Sequence, residues 1–297
     1  MHGVLVVDKP QGLTSHDVVA AARRLLGESR IGHTGTLDPM ATGVLPLAIG
    51  RATRLVRFLS ASDKDYDATI RFGVTTDTYD VTGTETSRTG RVPDIDAVMQ
   101  ALDALRGEYL QLPPPYSAKK IQGQRAYDLA RAQREVTLKS VPVRVARVAL
   151  VDFSGLTARV TLTCSAGFYV RSFAHALGEM TGTGAALEAL RRTRSGEFSL
   201  KEAVGLDALG GGQGASRLLP MEALLRDIPA VTLTPRGREH VTHGRELAAT
   251  DFEAVQPAKA LDPRPEWTRL LDTEGVLVGV ATAGTRPDSL HPSLVLI

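Results

Sequence analysis

The chain has one cysteine, Cys164, in 297 residues. A lone thiol cannot close an internal disulfide, so a disulfide-stapled scaffold is excluded and a reducing, cytoplasmic compartment is expected. Long apolar runs are missing too. Near the N-terminus the longest is Gly3 to Val7, and Asp8 follows directly. That is too short for a signal peptide or a membrane span, so no membrane association is expected. Charge of one sign is not in excess: 35 bases face 33 acids, for a net charge of +2. The balance neither requires nor excludes nucleic acid. With 43% hydrophobic and 23% charged residues, the chain is neither disordered nor fibrous.

Several chemical signatures are absent. There is no GxxxxGK[ST] phosphate loop, no GxSxG elbow, no GxGxxG after a strand and no CxxC pair. His240 and His243 stand three apart with no carboxylate or third ligand placed beside them, so they read as a surface pair. ATP, hydride and zinc chemistry lose ground, and no cofactor or metal is expected.

The charge that is present is unevenly placed. Between Lys119 and Arg147, eight bases and two acids give +6 in 29 residues. From Thr250 onward, four bases and seven acids give −3. A local basic stretch fits either phosphate binding or a solvated face.

Periodicity outlines the elements. GVLVVDKPQG reads as a short strand stopped by a turn, and Thr14 or Ser15 caps a helix ending at Gly27. A loop is expected from Arg30 to about Gly43. Further on come a strand over 65–73, a helix from Asp94 to about Arg106, and an irregular stretch at the three prolines 113–115. Strands are expected over 141–151 and 156–164, the second with Val160, Leu162 and Cys164 on one buried face. Helices are expected over 171–180 and 185–192, then a glycine-rich break at 210–214. Short strands follow at 231–233, 267–271 and 275–281. A domain boundary is expected near 228.

Residues 32–43, GHTGTLDPMATG, hold three glycines and a proline. That composition describes a rigid, shaped loop. Pro39 biases Asp38 toward an extended backbone, which aims its carboxylate outward. On composition alone, Asp38 either reacts or merely braces a turn.

The stretch GHTGTLDPMATGVLP resembles the motif of the TruB-type tRNA pseudouridine synthases. VLVVDKPQGLTS, SDKDYD, RFGVTTDTYDVTG, PPPYSAKKIQGQRAYDLAR, SAGFYVRSFAHALGE and ALRRTRSG are similar to further family segments in the same order. The resemblance covers roughly residues 3–228; the tail is only weakly similar to the family's PUA domain.

The resemblance implies an isomerase that turns a uridine at position 55 in the tRNA T loop into pseudouridine, with no cofactor or metal. It assigns Asp38 as nucleophile, at C1′, at C6 or through a glycal. Arg171 orients that carboxylate, and Tyr66 packs on the base and serves proton transfer. His33 fills the vacated space or braces the flipped nucleotide, while Tyr169 and Leu190 line the pocket. Lys64, Lys119, Lys120 and Arg125 are candidate phosphate contacts, and Lys9 supports the loop.

The implied fold is α+β. A twisted, largely antiparallel sheet forms a catalytic domain over 1–228, with an RNA-gripping insertion at about 112–140. A small PUA-like β domain over 229–297 completes it. tRNA is the expected partner, with no obligate protein partner and a monomeric state. The competing readings are a guide-RNA-dependent, dyskerin-like synthase and a non-catalytic tRNA-folding chaperone.

Overall fold

The computed structural model describes all residues except 117–119, 122–123, 126–137, 211–212, 254–265 and 287. The apolar run after Met1 and His2 forms strand β1 (Gly3–Lys9). Helix α1 (Ser15–Leu26) follows, capped by Thr14, whose side chain accepts from the Asp17 backbone N–H. Gly27 ends it in the left-handed region at φ 62°, as glycine does best. Next come β2 (Ile31–His33), β3 (Thr42–Ile49) and β4 (Lys64–Phe72), so the expected loop from 30 begins with a short strand. Helix α2 (Ile95–Ala104) is capped by Asp94. Strands β5 (Gly107–Gln111), β6 (Val141–Phe153) and β7 (Thr157–Cys164), helix α3 (Val170–Met180) and strand β8 (Ala185–Ser195) complete the frame.

These strands form one twisted mixed sheet in the order β1-β3-β8-β4-β7-β6-β5. Only β3–β8 is parallel within that run; the other neighbours are antiparallel. The class is α+β. Segment 185–192 corrects the expectation of a helix. Alanine, leucine and arginine are good helix formers, but here they enter the middle of the sheet between β3 and β4. Pairing on both edges and burial of Ala185, Ala186 and Leu187 override local propensity.

The two sheet faces differ. On β4, Lys64, Tyr66, Ala68, Ile70 and Phe72 point inward while Asp65, Asp67, Thr69 and Arg71 point to the rear. The inward side packs under the helices with Leu5, Val7, Leu45, Leu47, Val160, Leu162 and Phe173. Cys164 is buried there as expected, and burial pushes its thiol up to about 12.

A second sheet holds β9 (Ala230–Thr232), β10 (Thr268–Leu271), β11 (Leu277–Ala283) and β12 (Leu290–Val295), in that order. It has its own core around Leu233, Val241 and Leu270. It also shares a core with the rear of the first sheet, where Leu277, Val280 and Leu296 meet Val4, Val6, Val44 and Ala48. Arg51 and Arg54 clamp this junction by donating to the carbonyls of Leu296 and Val295. Among the described residues, no helix is long and apolar enough to cross a membrane.

Candidate active site

The loop between β2 and β3 is held from three sides by buried polar side chains. Ser15, at the start of α1, accepts from the Leu37 N–H at 2.8 Å and donates back to its carbonyl at 3.0 Å. Lys9, fully buried at the end of β1, donates to the carbonyls of Pro10, Leu13 and Pro39. Burial lowers its ammonium to about 8, against an opposing pull from Asp38. Arg192 on β8, 1% exposed, donates to the carbonyls of Val44 at 2.7 Å and Gly35 at 3.0 Å. A Cβ on Gly43 would lie 2.2 Å from the Arg192 carbonyl, so only glycine fits where β3 passes β8.

This frame presents Asp38. Its carboxylate is 35% exposed and opens into a cavity of about 610 Å³. Arg171, in the first turn of α3 and only 7% exposed, donates from Nε to Oδ2 at 2.8 Å and from Nη2 to Oδ1 at 3.1 Å. The same guanidinium donates to the carbonyls of Thr78 and Tyr116, both at 3.0 Å. A second carboxylate, Asp80 Oδ2, lies 3.7 Å from Nε. Two-point contact fixes the plane of the Asp38 carboxylate, and the remaining bonds fix the fork itself.

Tyr66, Leu190, Tyr169 and Arg192 line the same cavity. Tyr66 is 9% exposed, directly between Leu162 on β7 and Arg192 on β8. Burial raises its phenol, which therefore faces the cavity in neutral form. The Tyr169 backbone exchanges two hydrogen bonds with the Gln111 side chain, which ties the start of α3 to β5.

Not every expected residue joins this group. His33 is absent from the cavity lining. It sits on β2 opposite Leu47, with Nδ1 buried and without a hydrogen-bond partner among the described residues, and burial lowers its pKa. Lys64 reaches the cavity wall, but its ammonium is buried and donates to the carbonyls of Ser60 and Ser62. It is committed to backbone oxygens rather than offered to a phosphate, and burial lowers it to about 8. Lys120 and Arg125 stand opposite one another in a hairpin of two short strands, and Lys119 lies outside the described residues.

Sequence reasoning passed over Asp80 and Arg192. Asp80 stands in RFGVTTDTYDVTG beside a second acid, Asp77, with nothing in the pattern to tell them apart. Arg192 was hidden by the expected helix, which put it on the wrong periodicity; strand alternation would have turned it inward beside Leu190. The His240 imidazole stands 3.2 Å from the Asp251 carboxylate.

Comparison with known proteins gives the class first. A Cbf5–Nop10–Gar1 complex contains a chain that superposes on this one with a TM-score of 0.75 at 25% identity, covering 100% of this chain and 85% of that one. A chain from an H/ACA ribonucleoprotein bound to a substrate RNA superposes with a TM-score of 0.74 at 23% identity, with the same coverage. That shared architecture, together with a match of residues 23–170 to a pseudouridylate synthase family, is that of a pseudouridine synthase. Within that class, residues 23–170 match the N-terminal domain of the TruB family pseudouridylate synthases, and 171–226 match the tRNA pseudouridylate synthase B C-terminal domain. A tRNA pseudouridine synthase B from Solibacter usitatus is 41% identical over 100% of both chains. One from Mycobacterium sp. (strain KMS) is 46% identical over 88% of this chain and 89% of its own. The chain belongs to the TruB family of pseudouridylate synthases.

Proposed function

We propose that this enzyme isomerises a uridine of tRNA to pseudouridine, at position 55 in the T loop, with Asp38 as the nucleophile. The observation that carries the reading is the Asp38 carboxylate itself. It is open to a cavity roomy enough for a flipped nucleotide while both of its oxygens are held by a buried arginine.

The reaction breaks the N1–C1′ bond and forms a C5–C1′ bond. The proton leaving C5 is balanced by one gained at N1, so product and substrate have the same atoms and no cosubstrate is consumed. The uridine must leave its stack to enter the cavity, at a cost of roughly a few kcal/mol. Tyr66 then packs on the uracil face, with its phenol oxygen near the ring carbon that loses a proton. Tyr169 and Leu190 close the sides. Attack at C1′, attack at C6 and glycal formation all require a carboxylate oxygen facing the flipped nucleotide, as the Arg171 fork arranges. His33, beside the cavity rather than in it, braces the displaced nucleotide from outside.

Residues 1–228 act as the catalytic unit in this reading, with the insertion at about 112–140 gripping the RNA through Lys119, Lys120 and Arg125. Residues 229–297 form a PUA-like RNA-binding unit. That basic insertion supports action without a partner protein, and the single cysteine suits the cytoplasm; the proposed state is a monomer. The relatives named tRNA pseudouridine synthase B support tRNA as substrate.

The test is incubation of the purified protein with an unmodified tRNA transcript, without partners, and mapping of pseudouridine. Modification at position 55 by the parent and none by Asp38→Asn is expected. Binding without modification by the parent would leave the chaperone reading; modification only with an added guide RNA would leave the dyskerin-like one.

A further inference from the structure

We infer that Tyr79 and His175 are positioning residues for the Arg171–Asp38 pair: their stacked rings hold the turn at 77–82 so that two of its groups face one guanidinium. The inference rests on the reading of Asp38 as the reacting group.

The turn makes two approaches to Arg171. The Thr78 carbonyl accepts from Nη1 at 3.0 Å, and the Asp80 carboxylate lies 3.7 Å from Nε. These groups flank Tyr79. For neighbours on both sides of one residue to meet the same planar group, the backbone between them must reverse. It does so at Tyr79, where φ is 65°. This is the left-handed region, open to glycine and disfavoured for a bulky side chain. Tyrosine has no short polar group to stabilise that conformation locally, as asparagine or aspartate does. Something else must hold it there.

The ring does so. Tyr79 lies flat on the His175 imidazole, with centroids 3.9 Å apart and planes 3° from parallel. His175 is on α3, four residues after Arg171, so it shares a helix face with the guanidinium. The stack therefore ties the turn to the element that carries the fork. Backbone bonds tie the same turn to β8: the Leu187 N–H donates to the Tyr79 carbonyl, and the Val81 N–H donates to the Leu187 carbonyl, both at 2.9 Å. Asp80 is further set by the Thr82 N–H, which donates to Oδ1 at 2.9 Å.

The imidazole is used for its face. Its Nδ1 is buried and has no hydrogen-bond partner among the described residues. Burial lowers its pKa, with Glu179 opposing, which favours the neutral ring. A residue kept for hydrogen bonding at Nδ1 would show a partner there; one kept for a flat surface need not.

The backbone conformation supplies an unusual test. Tyr79→Gly removes the ring but relieves the backbone, since glycine takes positive φ freely. If the tyrosine serves only the fold, glycine is at least as good. If its ring positions the turn, the glycine variant keeps its fold and tRNA affinity but loses rate. The expected result is a single-turnover rate at saturating tRNA lowered about tenfold, with an unchanged dissociation constant. Tyr79→Phe and His175→Phe keep a stack and are expected within about twofold of the parent. His175→Ala is expected to match Tyr79→Gly, and the double variant to be no slower than either single one, as for residues acting as one unit.

A parental rate for Tyr79→Gly, or a double variant whose loss is the product of the two single losses, overturns the inference. Should Tyr79→Gly be unstable, His175→Ala and its comparison with His175→Phe decide alone. A parental rate for His175→Ala overturns the inference, and a loss spared in His175→Phe supports it. Asp38→Asn is run alongside. If that variant turns over, the underlying reading fails. If it is dead while Tyr79→Gly and His175→Ala keep the parental rate, only the positioning role fails.

Discussion

The front cleft and the rear face of the same sheet are built from the same residues, arginine and aspartate, with opposite consequences. At the rear, Arg159 meets Asp67 and Arg194 meets Asp65 across neighbouring strands, and Arg191 on β8 reaches over β3 to Asp8 on β1. All three arginines keep a third or more of their side-chain surface in water. Water and salt screen such pairs, and the Arg191–Asp8 and Arg194–Asp65 contacts fall in the range of roughly 0–1 kcal/mol. In the cleft, Arg171 and Arg192 are both buried. A buried guanidinium must have every donor placed, so each becomes a rigid fixture. Arg171 spends its donors on Asp38 and on two carbonyls, and Arg192 spends its donors on carbonyls of the loop and of β3. Charge pairing alone does not mark a site here; desolvation separates a fixture from a solvated pair.

The sharpest way to break this contrast is Asp38→Asn. It keeps the shape of the carboxylate and removes the nucleophile. Single-turnover pseudouridine formation is expected to fall on the order of a thousandfold or more, with the fold retained by circular dichroism. Measurable multiple turnover by the verified variant would remove Asp38 from the chemistry.

Arg171→Lys comes next. The charge stays, but an ammonium cannot hold both carboxylate oxygens in one plane. A rate loss of about a hundredfold is expected, equivalent to about 2.7 kcal/mol. Parity with the parent would show that charge, not the fork, is what Asp38 needs.

Arg192→Met tests the loop side of the cleft. Removing the guanidinium strands the carbonyls of Val44 and Gly35. Urea unfolding should report a loss of about 2–3 kcal/mol. At the rear, Arg194→Gln should cost less than about 1 kcal/mol by the same measurement and leave activity unchanged. If the two arginines cost the same, burial is not the deciding variable.

The smallest effect is expected outside both regions. Replacing Lys119, Lys120 and Arg125 by glutamine should leave the saturated rate nearly intact. The slope of log affinity against log salt should fall by about 0.7–1 for each phosphate that the variant no longer neutralises. Identical slopes would return the insertion to the solvated surface.

The sequence made some of this contrast legible. The 3.6-residue pattern and a cap at Thr14 or Ser15 marked α1, and the alternation of 156–164 marked a strand with Cys164 inside. Asp38 stood out because a glycine- and proline-rich loop left it the only acid. What stayed hidden depends on neighbours far away in the chain. Segment 185–195 has a helix former's composition and becomes a strand only because β3 and β4 flank it. Lys64 looks like any cationic residue near a binding segment until the carbonyls of Ser60 and Ser62 are seen to enclose it. Asp80 resembles its neighbour Asp77 until the fold sets it against Arg171. Burial of a polar residue is a property of what covers it, and local patterning does not encode the cover.

The clamp between the 50–55 turn and the final strand bears on how the molecule is made. Arg51 and the Leu296 carbonyl it grips are 245 residues apart, and Val4 shares a core with Leu296. The apolar rear of β1 and β3 thus precedes the last part of its cover by most of the chain's length, although Leu55, Leu59 and Phe198 cover part of it sooner. Contacts of such long sequence separation form slowly and leave sticky surface open in the meantime. A nascent chain stalled before β12 would already contain every cleft residue named above, yet the cover of its rear face would lack Leu296 and the carbonyls that Arg51 and Arg54 grip. Such a species would fail by aggregation rather than by faulty chemistry.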